Sequence, residues 1–266
     1  ITAMLPKLAE IRLMNLELER VSDITCQDPE TQLTSAPLFK RPITGALEVK
    51  NVIFSYSKVD RPIINKLSFS LRSGECLAIT GRSGCGKSTL LKLILGLEKP
   101  SSGVVLLDNF VLDNIPPKQL REDVIAIMHG DGLMAGDLAY NIRLDLEAYD
   151  EDRLKSACVR AGIFDVISAL PMGFNTKVGE IGNCLSAGQI QRILLARALY
   201  RQPKMLILDE AFSNLNDDIS AQLLQEVAGL GITVIVVTHN PVLIALADKK
   251  LELTAGCVVE ECQLIR

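Results

Sequence analysis

The chain has 266 residues, 48% of them apolar, and a net charge of -4: enough apolar material for one large domain or two modest ones, with no cationic footprint for a nucleic-acid backbone. Seven scattered cysteines without a C-x-x-C pair, and only two histidines, argue for reduced thiols and against a disulfide frame or a zinc site. No apolar run approaches the ~20 residues of a membrane-spanning helix; the longest, such as Ile232 to Val237, read as buried strands.

The chain opens at Ile1 without Met, basic flank or cleavage site, so it reads as a piece of something longer. From Leu5 to Ile24, Leu5, Leu8, Ile11, Met14, Leu18 and Val21 recur at helical spacing between Lys7, Glu10, Glu17 and Arg20, which predicts an amphipathic helix over 1–25. Pro29, Pro37 and Pro42 then break the period; residues 26–45 read as a linker and 46–266 as the main domain. There Leu47 to Tyr56 and Ile63 to Leu71 read as strands, and Cys76 to Thr80 as a short apolar strand. It leads into a glycine-rich loop and a helix from Ser88 to Leu97. Val104 to Leu107, Val124 to Met128, Met205 to Leu208 and Ile232 to Val237 supply further strands, several apolar on consecutive positions, as in a parallel sheet covered on both faces. Between Asp137 and Arg201 the strand signal gives way to helical patterning at Arg153 to Ala161, Ile163 to Leu170 and Gln189 to Tyr200, an inserted helical subdomain over about 131–201. The acidic group Asp145, Glu147, Asp150, Glu151 and Asp152 reads as a solvated helix start.

Four stretches carry chemistry. Gly81 to Thr89 (GRSGCGKST) matches G-x-x-x-x-G-K-[ST], which arises by chance in roughly one chain in a hundred of this length. Its glycines Gly81, Gly84 and Gly86 let successive N–H groups, those of Ser83 and Cys85 among them, turn inward toward phosphates, with the helix N-terminus behind. Lys87 reaches the same oxygens; the Ser88 hydroxyl, followed by Thr89, is expected to hold Mg2+. Cys85 in this electropositive loop is expected to alkylate if accessible, with nucleotide protecting it. Asp209 ends the four-residue apolar strand Met205–Leu208 and aims at the same Mg2+, while Glu210 is placed to polarise an attacking water. His239 follows another apolar strand and is expected near the γ-phosphate. Leu185-Ser186-Ala187-Gly188-Gln189 has the S-x-x-Q form of a capping box. It either starts a helix and nothing more, or also forms an anion site that serves a partner's ATP.

On these ordered motifs the chain resembles the nucleotide-binding domain of an ATP-binding cassette (ABC) transporter over about residues 45 to 266. The resemblance implies an α/β fold: a P-loop NTPase core with a mostly parallel sheet, an N-terminal antiparallel β subdomain and the helical insertion. It implies two copies closed head to tail around two Mg2+-ATP, with Ser186, Gly188 and Gln189 of each sealing the other's nucleotide and Tyr56 stacking on adenine. Gly136 to Ile142 and Thr176 to Gly182 resemble exporters, and the finer pattern resembles bacterial peptide and bacteriocin exporters of the colicin V type. That implies a transmembrane domain in the same polypeptide, a peptide cargo handled outside this stretch, and a place at the cytoplasmic face of the bacterial inner membrane. The pattern is departed from at Ala187 for the first signature glycine, His129 for the Q-loop glutamine, where it is a catalytic candidate, Asn216 for the D-loop aspartate and Phe212 for a threonine. Slow but real hydrolysis is the expectation; a catalytically weak or inactive regulatory ABC domain and a soluble ABC ATPase uncoupled from transport remain as alternatives.

Overall fold

The computed structural model describes residues 42–57, 61–144, 150–179, 185–254 and 257–263, together with Lys7, Arg12, Met14, Leu18 and Ser22. The chain divides into two compact units, Ile1–Ala36 and Pro37–Arg266. In the first, those five residues are helical and exposed; the other positions of the expected amphipathic helix lie outside the described residues.

The second unit begins with strands β1 (Leu47–Phe54), β2 (Ile64–Leu71) and β3 (Cys76–Gly81), then helix α1 (Lys87–Ile94) and strands β4 (Ser102–Leu107) and β5 (Phe110–Val111). Helix α2 (Pro117–Asp123), strands β6 (Val124–Ile127) and β7 (Gly136–Asp137), helices α3 (Leu138–Arg143), α4 (Glu151–Arg160) and α5 (Phe164–Ser168), and strand β8 (Lys177–Val178) follow. Last come α6 (Ala187–Tyr200), β9 (Met205–Asp209), α7 (Asp217–Ala228), β10 (Thr233–Val237), α8 (Pro241–Leu246), β11 (Lys249–Thr254) and β12 (Cys257–Gln263).

Two sheets carry the architecture. One is antiparallel in the order β2-β1-β4-β5; the other runs β12-β11-β3-β10-β9-β6, parallel except at its β12 edge. The central strands are mostly apolar on consecutive positions because both faces are covered, and the faces are still distinct. Cys76, Ala78, Leu206, Leu208, Val234 and Val236 join a core with the helical layer, while Leu77, Ile79, Met205, Ile207, Ile235 and Val237 join one with α1 and the antiparallel sheet. A one-residue slip of any of these strands would exchange the two cores.

Local signals account for several boundaries. α1 stops at Ile94, short of the expected Leu97, because the Gly96 N–H bonds Leu93 O (3.2 Å) and the Leu97 N–H bonds Lys92 O (2.9 Å), a Schellman closure. The stretch expected to lack strands holds the pair β7–β8, two residues each, too short to show a period. The Asp150 side chain caps α4 by accepting from the Arg153 N–H, which fits the helix-start reading; Asp145 and Glu147 lie outside the described residues. Thr44 to Ala46 are anchored on the β4–β5 turn, where Asp108 accepts from the Thr44 hydroxyl (2.6 Å) and the Ala46 N–H (2.9 Å). Burial pushes the Asp108 carboxyl up, but these bonds outweigh it and hold it below the usual range.

Candidate functional site

Because β3, β9 and β10 are parallel and in register, with Ile79 and Asp209 both opposite Val237, the loops after them open at one edge of the sheet. They line a cleft of about 530 Å³ with Ser83, Gly84, Gly86, Lys87, Ser88, Thr89, His129, Asp209, Glu210 and His239 around it. Ten of the expected site residues therefore converge. Gly81, at the end of β3, sits at the root of the loop.

The loop's shape depends on Gly86, the N-cap of α1, at φ +103; a Cβ there would stand 2.9 Å from Ile64 Cδ1. Lys87 Nζ folds back over the loop, donating to Gly81 O (2.5 Å) and Arg82 O (3.1 Å), while Ser88 is exposed. Cys85 corrects an expectation: its side chain is only 7% exposed and belongs to the core beneath the loop. A small apolar thiol is at home there, and that burial shields it from alkylation before any nucleotide binds. Its N–H donates to Arg82 O (3.3 Å).

Asp209 is 5% exposed. Burial raises its pKa above the usual carboxylate range, helped by the charge of Glu210; a bond from the His129 N–H and the charges of His129 and Lys87 pull the other way. Glu210 has φ +53, left-handed backbone that a residue with a Cβ rarely adopts. It is held there by its N–H on Val237 O (3.1 Å) and by the Ser213 N–H on its own carbonyl (3.1 Å). β6 is the neighbour of β9, so His129, just beyond β6, comes to Glu210: Nδ1 lies 3.5 Å from Oε2. Tyr56 is exposed, its hydroxyl 3.5 Å from Thr89 Oγ1 and its ring 5.7 Å from Lys92 Nζ.

The fourth motif is elsewhere. Ser186 is the N-cap of α6 in a complete capping box: its Oγ accepts from the Gln189 N–H (3.2 Å), and Gln189 Oε1 accepts from the Ser186 N–H (2.8 Å). Ser186 and Ala187 are exposed, and none of Ser186, Gly188 and Gln189 lines the cleft. Gly188 permits a close approach: a Cβ would meet Leu215 Cδ2 at 2.8 Å and Asn214 O at 3.0 Å. Asn216, in place of an aspartate, still caps α7 by accepting from the Ile219 N–H (3.0 Å), and Phe212 is buried.

Three residues went unread in the sequence. Gln191 bonds Ser213 and Asn214, and Asn240 Nδ2 donates to Asp217 Oδ1 (2.6 Å), fastening the His239 loop to the start of α7. The Asn240-Pro241 pair is a helix-start signal that could have flagged Asn240; nothing local marks Gln191 or Asp217.

The cleft fits a triphosphate with a hard divalent cation. An added Cβ at Gly84 would meet nothing within 4 Å, so backbone faces open space. Beside it are an ammonium, a helix N-terminus, an exposed hydroxyl and the buried carboxylate of Asp209, whose charge is only partly compensated. No group of three or more His, Cys, Asp or Glu fit to hold a metal occurs among the described residues; phosphate oxygens would complete the cation's shell.

A family model described as ABC transporter matches residues 64–213. The colicin V secretion/processing ATP-binding protein of Escherichia coli is 34% identical over 242 residues, 91% of this chain and 35% of that protein. The leukotoxin translocation ATP-binding protein of Mannheimia haemolytica is 35% identical over 95% of this chain and 36% of its own length. Among solved structures, a bacterial Atm1-family ABC exporter with ATP bound superposes with a TM-score of 0.83 at 29% identity, covering 95% of this chain and 45% of that one. The chain thus spans about a third of the length of these curated relatives.

Proposed function

The chain belongs to the ABC transporter family, and from that premise we propose that it is the ATP-binding and ATP-hydrolysing motor domain of an exporter, working as a pair of identical copies. The observation that carries this reading is the convergence of Lys87, Ser88, Asp209, Glu210, His129 and His239 on one cleft, while Ser186 and Gly188 form a second anion-ready helix start outside it. The first N–H groups of α6 have no partner within the helix, and the Ser186 hydroxyl still has a proton to donate.

The residues divide the work. Lys87 moves from its loop carbonyls to the β- and γ-phosphate oxygens, and the N–H groups at the start of α1 take the remaining charge. Tyr56 offers an exposed ring to adenine. Ser88 and Asp209 are the residues that would hold Mg2+, which when bound draws charge from the phosphate oxygens. Glu210 orients a water and takes its proton as the water oxygen bonds the γ-phosphorus and the bond to the β–γ bridging oxygen breaks, leaving ADP and phosphate. His239 steadies the charge on the phosphoryl oxygens. His129 engages one oxygen of Glu210, which supports slow turnover: the base must release that contact to hold its water squarely.

The relatives named for colicin V secretion and leukotoxin translocation support export of a polypeptide, with a transmembrane domain in the same protein and this domain at the cytoplasmic face of a bacterial inner membrane. The test is the dependence of ATP turnover per chain on chain concentration. A rate per chain that climbs with concentration and then levels supports sites completed by a second copy; a measurable rate indifferent to dilution contradicts it.

A further inference from the structure

From the contacts of Gln191 we infer that it is a positioning residue that ties the start of α6 to the backbone of Glu210, so that sealing of one ATP by α6 sets the catalytic loop of the same chain. The inference rests on the paired-copy reading above.

Gln191 lies three residues along α6 from Gly188. Its Oε1 accepts from the Asn214 N–H (3.1 Å) and its Nε2 donates to Ser213 Oγ (3.0 Å). The amide has one possible orientation here, because a backbone N–H can only donate and must face the oxygen. Ser213 in turn donates its N–H to Glu210 O (3.1 Å). Two hydrogen-bonded steps therefore run from the helix that would close on a partner's nucleotide to the residue that would activate water. The same loop is pressed against the first turn of α6, where Gly188 leaves room for Leu215 and Asn214, so a shift of the helix start cannot leave the loop behind. At its far end the loop meets Asp217, bonded to Asn240 next to His239. A single small element, residues 210–217, thus joins both catalytic side chains to α6.

The experiment compares Gln191→Leu, Gln191→Glu and Ser213→Ala with the native full chain. Four quantities are read: kcat and Hill coefficient at high chain concentration, affinity for a fluorescent ATP analogue at high dilution, and melting temperature. The glutamate can accept from the Asn214 N–H while the Ser213 hydroxyl turns to donate to it, so it should restore what leucine removes. Gln191→Leu is expected to lower kcat roughly fivefold or more and to bring the Hill coefficient to about 1, with dilute affinity within about twofold of native. Gln191→Glu should stay near native. Should Gln191→Leu not fold, Ser213→Ala leaves α6 untouched and must lower the Hill coefficient in the same way. Native kcat and cooperativity in Gln191→Leu or, failing that, in Ser213→Ala would overturn the inference, as would a glutamate variant as impaired as the leucine one. A native chain that dimerises with ATP and hydrolyses it without cooperativity overturns this inference alone; one that does neither overturns the paired-copy reading as well.

Discussion

The cleft at the ends of β3, β9 and β10 and the start of α6 are both assigned to anions in the proposed function, but they are built differently. In the cleft, buried strands deliver side chains from residues as far apart as Lys87 and His239 to one place. At α6 Ser186 is exposed and Gln189 half-buried; the two satisfy one another through the capping box, and no residue of the other three motifs bonds to them. On the proposed reading, the first is a site within one chain and the second is half of a site shared by two. Substitutions in the first should alter what a single chain binds, and substitutions in the second, apart from the stability lost with the cap, should alter only what two chains do together.

The largest effect should come from Glu210→Gln, which keeps the shape of the cleft but removes the base: turnover should fall by about 10²- to 10³-fold in a steady-state ATPase assay, while the ATP-bound pair persists in light scattering. Lys87→Ala should weaken nucleotide binding by about 10- to 100-fold, the loss of a charged hydrogen bond to phosphate, in titrations dilute enough to keep chains apart. Ser186→Ala provides the contrast. It should leave that dilute affinity alone, reduce turnover at high chain concentration, and cost about 1 kcal/mol of stability through the lost cap. A loss of dilute affinity in Ser186→Ala would erase the distinction between the two regions.

Smallest and most diagnostic is the pH response of Asp209. Its folded pKa is raised by burial and by Glu210, so the folded state holds the proton more tightly than the unfolded chain, and this group's contribution to stability declines as pH rises through the folded pKa. Asp209→Asn should therefore melt at a higher temperature than native at neutral pH without ligand, yet lose the gain in nucleotide affinity that Mg2+ confers. In the native chain that gain should shrink as pH falls toward the raised pKa. A lower melting temperature for the asparagine variant would mean that the buried charge is compensated after all.

Much of the cleft was legible because its parts are local: the Leu206–Leu208 run announces a buried strand, and a strand followed by Gly81 to Thr89 announces the loop. β11 could have been read as well, since Leu251 and Leu253 are buried in strict alternation with Lys250 and Glu252. The His129–Glu210 contact could not, because it depends on β6 taking the edge place beside β9. Cys85 misled for a related reason: charge around the loop is visible in the sequence, whereas the side on which each loop residue packs is set by the curl of the backbone. The Gln191 contacts join residues 22 and 23 apart through a loop whose path follows from the left-handed turn at Glu210.

The most direct test of the central claim is a structure of the Glu210→Gln chain saturated with Mg2+-ATP. The account predicts two copies head to tail, with Ser186 Oγ of each within about 3 Å of a γ-phosphate oxygen held by Lys87 of the other. A saturated chain in which Ser186 stands clear of every triphosphate would contradict it.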